Sequence, residues 1–238
     1  MTDPKKNKKK IAFFVEGQTE AIFIKQFIFE YLGHQAANVT REQMHGGYIH
    51  EIEAIGSPPE ETDYEILVVD CQNDERVLTA MSDRHQSLAR SGFSHVIGIR
   101  DLFPQDLSDL DDLTSDTDQH IAALNSTISI KMIIATMEIE SWFLSDPDFF
   151  QSIDASLDSA AVKTICGIDF STVDTQTIDH PASLIEKILD NVSKFYKKRE
   201  KDTYKILSHL NYTEIFLSGK KRNKSLEIFS DHITAAFK

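Results

Sequence analysis

Acidic residues close or follow several short apolar segments of this chain. Glu16, Asp101, Glu138 and Glu140 stand at the ends of three such segments. In parallel α/β sheets, ligands bind outside the carboxyl ends of the strands, so these acids are expected at one rim. Mg²⁺ and Mn²⁺ prefer oxygen ligands, and such ions stabilise the attacking and leaving oxygens of phosphodiester cleavage. The pattern predicts a Mg²⁺ or Mn²⁺ site for catalysis, with these four acids as metal ligands.

Glu20 follows Glu16 by one helical turn and is predicted to support catalysis at the same site. The alternative interpretation is that these acids have only structural roles. Polar residues are common at strand ends, and an acid near a helix N-terminus can simply complement the helix dipole.

The elements that must position these acids follow from apolar periodicity. Residues 11–15, 64–69, 95–99 and 128–136 are short apolar runs typical of buried parallel strands. Helical spacing follows the first run, with Thr19 as the expected N-cap and Gly33 closing the helix. Further helices are predicted over about 73–90, near 117–125 and from 137 onward. Residues 34–63 fit neither pattern clearly.

The alternation of strands and helices predicts an α/β fold with a mainly parallel sheet flanked by helices. Strand signals fade after about residue 150, and helical spacing predicts helices over 181–197, 202–217 and 224–237. The expected organisation is therefore a disordered basic arm over 1–10, an α/β domain over 11–150 and a helical C-terminal region over 151–238.

Charge is unevenly distributed along the 238 residues, whose formal net charge is −13. Residues 11–186 contain 8 Lys and Arg against 31 Asp and Glu, a balance of −23, whereas residues 187–224 contain 11 against 4, a balance of +7. Basic clusters supply sequence-independent affinity for phosphate, although a solvated surface is the plainer interpretation. Phosphate binding is assigned to Lys197, Lys198, Arg199 and Lys205.

Composition and motifs argue against several other classes of protein. The two cysteines have no disulfide or zinc spacing, which favours a reducing cytoplasm. No apolar run approaches the length of a membrane span, and no secretory signal is expected. The sequence contains neither a phosphate loop of the G-x4-G-K-[ST] type nor a G-x-S-x-G elbow, so we expect no ATP hydrolysis by this chain.

Three motifs resemble those of TOPRIM domains. Residues 14–20, FVEGQTE, look like the opening motif in the E-G-x-T-E form of OLD-like nucleases and their small stand-alone relatives. Residues 96–101 resemble the second motif, an apolar strand ending in acid. Residues 137–146, MEIESWFLSD, are similar to the E-x-E-x-W-x-L-x-D signature of the small relatives, whose basic Tyr/Lys stretch is similar to residues 195–205.

The resemblance implies a TOPRIM-like fold and a Mg²⁺- or Mn²⁺-dependent endonuclease with Glu16 as principal ligand or general acid/base. It also implies a toxic effector of anti-phage defence, controlled by a separate ABC- or SMC-like ATPase. DNA and RNA, including tRNA, are both open as substrates, and so is homo-oligomerisation.

The second motif departs from the family pattern. TOPRIM domains have Asp-x-Asp there, whereas this chain has Phe103 two residues after Asp101. Asp106 could substitute only if the turn at Pro104 folds it back. A one-metal enzyme, a site completed by substrate, and a degenerate domain remain open. The alternative function is thus a non-catalytic scaffold or sensor that binds the ATPase.

Overall fold

A computed structural model describes residues 8–46, 48–197 and 199–238, and within them six strands form one sheet. The strands are β1 (Lys9–Val15), β2 (Ala37–His45), β3 (Tyr48–Gly56), β4 (Tyr64–Asp70), β5 (His95–Asp101) and β6 (Ser129–Ala135). Their order is β3-β2-β4-β1-β5-β6. The four apolar runs are the strands predicted from sequence, and the mainly parallel α/β fold is confirmed.

The strand β1 is central because its apolar side chains are buried on both faces. Residues 11–15 are completely buried, as expected for a parallel strand covered on both sides. The strand runs parallel to β4 and β5, with Val15 opposite Asp70 and Ile99. The carboxyl ends of these three strands therefore meet at one edge of the sheet.

Three helices accompany these strands: α1 (Gln18–Leu32), α2 (Asp74–Arg90) and α3 (Leu110–Ala123). The helix α1 packs on β4 and β2, and α2 packs on β1. The expected N-cap at Thr19 is wrong, because α1 begins after Gly17; Gly33 does close it, with φ of 85°. The helix α3 begins earlier than the predicted residues 117–125.

Residues 34–63, which had no clear pattern, contain the antiparallel hairpin of β2 and β3. Most of β3 is exposed, so it lacks the apolar alternation of a half-buried strand. The Glu53 carboxylate accepts hydrogen bonds from Lys25 at 2.8 Å and Arg41 at 2.6 Å. The Lys25 pair fastens the hairpin to α1, and the Arg41 pair joins the two strands of the hairpin.

The later part of the chain is helical, as predicted. Its helices are α4 (Glu140–Phe143), α5 (Phe149–Ile153), α6 (Ser159–Cys166), α7 (Pro181–Asp190), α8 (Glu200–Leu207), α9 (Tyr212–Leu217) and α10 (Lys224–Phe237). The predicted helix over 202–217 is two helices, and α5 and α6 were not predicted. Trp142 is fully buried, donates to Ser225 at 2.8 Å and packs on Phe229 in the core of this region.

The chain divides into two compact units. The first contains the described residues up to Arg100, Leu113–Ile133 and Thr234–Lys238; the second contains Asp101–Asp112 and Ile134–Ile233. This division does not coincide with the expected boundary at residue 150. It arises because the chain leaves the first unit at the end of β5 and returns to it for most of α3 and most of β6.

The predicted basic arm lies mainly outside the described residues. At its end, Lys9 and Lys10 belong to β1 and are thus ordered, contrary to expectation. Glu65 on the neighbouring strand β4 pairs with Lys8 at 3.2 Å and Lys10 at 2.5 Å.

None of the helices in the described ranges combines the length and apolar character needed to cross a bilayer.

Candidate functional site

Glu16 occupies the turn between β1 and α1 in the first unit. The side chain is half-buried and directly follows Val15, the last residue of the strand. Gly17 is the N-cap, and its carbonyl accepts the Ala21 N–H at 3.1 Å. Unsatisfied N–H groups and the dipole make a helix N-terminus favourable for negative charge. Glu16 is therefore placed where a carboxylate, a phosphate or both are stabilised.

Glu20 shapes that turn. Its Oε2 accepts the Gly17 N–H at 3.0 Å, and the side chain is almost fully buried. This is one half of a capping box, in which an acid in the first turn satisfies an amide at the helix start. Glu20 thus fixes the backbone that follows Glu16, and its part in catalysis stays a prediction.

Asp70 ends β4, the strand beside β1, and is held by amide groups. Its Oδ1 accepts the Gln72 N–H at 2.9 Å, and its Oδ2 accepts Gln43 Nε2 at 3.1 Å. Gln72 has φ of 65°, in the left-handed region that non-glycine residues rarely adopt. The end of β4 is thus a tight, amide-rich turn.

In the second unit, Asp101 joins the loop that follows β5 to the loop that follows β6. Its Oδ1 accepts the Ile139 N–H at 2.9 Å, and the Phe103 N–H donates to the Met137 carbonyl at 2.8 Å. Met137 itself has φ of 62°. Asp101 therefore holds residues 137–139 in place, a contact that sequence spacing cannot show.

The suggestion that Asp106 replaces the missing second acid gains no support from its position. Asp106 is exposed and precedes the 3-10 turn Leu107–Asp109. Its N–H donates a hydrogen bond to the Asp109 carboxylate at 3.1 Å. It contributes to a surface turn.

Glu138 and Glu140 point to different partners in the second unit. The Glu138 Oε2 accepts the Ala182 N–H at 3.0 Å, at the start of α7, where a carboxylate complements the helix dipole. Glu140 is fully buried, and its Oε1 accepts the Tyr196 hydroxyl at 2.7 Å. Both acids therefore join α4 and the segment before it to later parts of the same unit.

Asp146, the last residue of the third motif, is buried as well. Burial raises its pKa to about 6, although the N–H groups of Asn211 and Asp148 donate to it at 2.8 and 3.1 Å and lower the pKa. The prediction of catalytic acids did not include it. A pKa close to neutrality gives this group a protonation equilibrium that most surface aspartates lack.

Most of the predicted phosphate-binding residues lie around one cavity of about 330 Å³ in the second unit, which we call the basic cavity. Its lining comprises Ile153, Ser193, Lys194, Phe195, Lys197, Arg199, Asp202, Lys205, Ile206 and His209. Lys197, Arg199 and Lys205 are thus brought together; Lys198 lies outside the described residues. Phe195 and His209 also line the cavity and were not among the residues predicted for this site.

Lys194 differs from the other lysines of the basic cavity. It donates to the Ile153 carbonyl and pairs with Asp154 Oδ2 at 3.2 Å. Hydrogen bonds from Ser156, and then from Lys194, lower the pKa of Asp154 to about 2. Lys194 is therefore an anchor of the lining, with its charge already balanced.

Within the described residues, no three His, Cys, Asp or Glu side chains are grouped closely enough to hold a metal ion by themselves. Carboxylates are nevertheless the right donors for Mg²⁺ or Mn²⁺. Mg²⁺ commonly takes one or two carboxylates and completes its shell with water and substrate phosphate. The donor chemistry at Glu16 therefore fits a Mg²⁺ or Mn²⁺ site that has one or two carboxylates and is completed by water and substrate phosphate.

A family model described as "Domain of unknown function (DUF4276)" matches residues 15–218. Neither a curated protein nor a solved structure matches the chain. The matched range begins at the last residue of β1 and ends after α9, and so includes Glu16, the three motifs apart from Phe14, and the basic cavity. The chain belongs to the DUF4276 family.

Proposed function

We propose that this protein is a Mg²⁺- or Mn²⁺-dependent nuclease in which Glu16 is the metal ligand. The observation that carries the proposal is the position of Glu16. It follows the central strand of a mainly parallel sheet and precedes a helix N-terminus, where ligands of such sheets bind. The resemblance of residues 14–20 to the first TOPRIM motif supports the same assignment.

In this proposal the residues of the turn prepare the site. Glu20 holds the Gly17 amide, which fixes the backbone on which Glu16 is mounted. Glu16 supplies a negatively charged oxygen, while the N-terminus of α1 favours a phosphate beside it. A bound divalent cation supplies charge stabilisation to the attacking and leaving oxygens.

The basic cavity supports a nucleic-acid substrate in a chain of net negative charge. Lys197, Arg199 and Lys205 line it, and Lys–phosphate and Arg–phosphate contacts provide affinity that falls with salt. DNA and RNA, tRNA among them, are both included. Control by a separate ABC-like ATPase in antiviral defence is part of the proposal and rests on the family resemblance.

The test is cleavage of plasmid DNA and total tRNA by the purified protein with Mn²⁺ or Mg²⁺. Glu16→Gln should reduce the cleavage rate at least about a hundredfold, by analogy with the loss of a group that stabilises transition-state charge. Glu30→Gln is the matched control, because Glu30 lies on α1 but is exposed. Equal cleavage by the wild type and Glu16→Gln would contradict the proposal.

A scaffold or sensor subunit for the ATPase is the second candidate. It is favoured by Asp101, Glu138 and Glu140, whose carboxylates accept hydrogen bonds that organise the second unit. Phe103 in place of a second Asp points the same way. If the wild type cleaves neither substrate with either metal, including in the presence of a co-encoded ATPase, this candidate replaces the nuclease.

A further inference from the structure

The basic cavity carries an excess of positive charge that the described part of the protein does not balance. Its ionisable lining is Lys194, Lys197, Arg199, Lys205, Asp202 and His209. Four cations against one acid give the lining a balance of +3 with His counted as neutral, and Asp154, which pairs with Lys194, lowers the unbalanced excess to +2. Lys194 has its own partner in Asp154, whereas Lys197, Arg199 and Lys205 form no salt bridge with another described residue.

The size of the basic cavity suits a phosphate group. A volume of about 330 Å³ is roughly ten times the ~30 Å³ that one water occupies in the liquid. Lys197, Arg199 and Lys205 are exposed, so an anion can reach them from solvent. Positively charged side chains around an open cavity repel one another, and a bound anion offsets that repulsion.

Phe195 stands at the same cavity with 62% of its surface exposed. Both of its neighbours are anchored. The Lys194 ammonium donates to the Ile153 carbonyl, and the buried Tyr196 hydroxyl donates to Glu140. Because both neighbours are anchored, the backbone at Phe195 is fixed and its ring stays exposed to solvent. The Lys197 ammonium lies 5.8 Å from its centroid, so charge and ring are presented together.

We propose that the basic cavity and Phe195 form a binding site for single-stranded nucleic acid. A backbone phosphate lies among Lys197, Arg199 and Lys205, and an unpaired base stacks on the Phe195 ring. Grooves that combine cations with exposed aromatic rings bind single strands in this way. The inference names the substrate class of the proposed nuclease and rests on that function for the step after binding.

Base pairing explains why the site selects single strands. In a duplex, each base is already stacked between its neighbours, so a ring on the protein gains contact only after a base is unstacked. Phosphate contacts are available in both forms. Phe195 therefore discriminates between single and double strands, whereas the cations of the basic cavity contribute to both.

The test is fluorescence anisotropy with labelled oligothymidylate and oligouridylate of about 20 nucleotides, longer than a site of roughly 4–16 nucleotides. A duplex DNA of the same length serves for comparison. The wild type should bind a single strand about tenfold more tightly than the duplex. Phe195→Ala should weaken single-strand binding by about tenfold and leave duplex binding unchanged.

Two matched controls isolate the contributions. Leu217→Ala removes an apolar side chain of similar exposure, 58%, outside the basic cavity and should bind like the wild type. Lys205→Ala should weaken binding to every probe and reduce the salt slope by about one. Lys187 is an exposed lysine of α7 that does not line the basic cavity. Lys187→Ala should therefore change the affinity and the salt slope less than Lys205→Ala does.

The outcomes separate this inference from the proposed nuclease function. Single-strand binding that Phe195→Ala leaves intact, equal binding of single strand and duplex, or no binding of single strands each overturns the inference. If binding behaves as expected but the wild type cleaves nothing, the nuclease proposal fails and the binding site stands.

Discussion

Asp146 shows how burial changes a single residue's chemistry and gives the protein a pH-dependent stability. Its pKa of about 6, raised above 3.8 by burial, means that the folded state holds this proton more tightly than the unfolded chain. The nearby acids Asp148 and Glu214 raise the pKa further. The group therefore contributes its full stability below about pH 4, and that contribution is lost as the pH rises through about 6.

Replacing Asp146 with Asn removes the titrating proton. Between about pH 4 and 7, the free energy of unfolding of the wild type should fall relative to that of Asp146→Asn by on the order of 3 kcal/mol, from about 1.4 kcal/mol per tenfold change in proton affinity. Urea unfolding at a series of pH values measures the difference. A difference that stays constant across this pH range would show that the carboxyl does not titrate as described.

Individual acids also show where prediction from sequence ends. The positions of Asp101, Glu138 and Glu140 near strand ends were predicted from apolar patterns, which depend on residues close in sequence. Their partners were not, because Ile139, Ala182 and Tyr196 lie 38, 44 and 56 residues away along the chain. The same pattern therefore fits a metal ligand and a structural acceptor equally well.

At the scale of elements, the Tyr196–Glu140 hydrogen bond joins the loop before α8 to α4. Tyr196→Phe removes the hydroxyl and deprives a fully buried carboxyl of one donor. We expect a loss of about 2 kcal/mol in the free energy of unfolding, in the range of roughly 1–3 kcal/mol for a buried acceptor that loses its donor.

Tyr212→Phe provides the control for this prediction. The Tyr212 hydroxyl donates to the neutral carbonyl of Leu207 at 3.3 Å, so its loss should cost about 1 kcal/mol. Chemical denaturation of both variants at neutral pH makes the comparison. If Tyr196→Phe were no more destabilising than Tyr212→Phe, the buried bond would not be the link between α4 and the loop.

Elements differ in how clearly the sequence indicates them. The strands β1, β4, β5 and β6 were predicted because their side chains are buried on both faces and leave continuous apolar runs. The hairpin strand β3 was missed because most of it is exposed, which leaves no apolar alternation to detect. The helices α5 and α6 have only 5 and 8 residues, too few for a helical period to be recognised.

At the scale of the whole chain, charge is segregated along the sequence, and the order of the residues is enough to reveal this segregation. The basic balance of residues 187–224 becomes, in part, the lining of one cavity. The sequence could not show that Lys194 is neutralised by Asp154 or that Phe195 is exposed beside it. Both facts depend on how residues 193–197 are anchored to other parts of the second unit.

The central claim is that Glu16 binds a divalent cation, and Mn²⁺ titration followed by electron paramagnetic resonance tests it most directly. The wild type and Glu30→Gln should bind one Mn²⁺ per chain with equal affinity, whereas Glu16→Gln should bind at least about tenfold more weakly, because a site with one or two carboxylates then loses a charged ligand. Equal Mn²⁺ affinity of Glu16→Gln and the wild type would contradict the account.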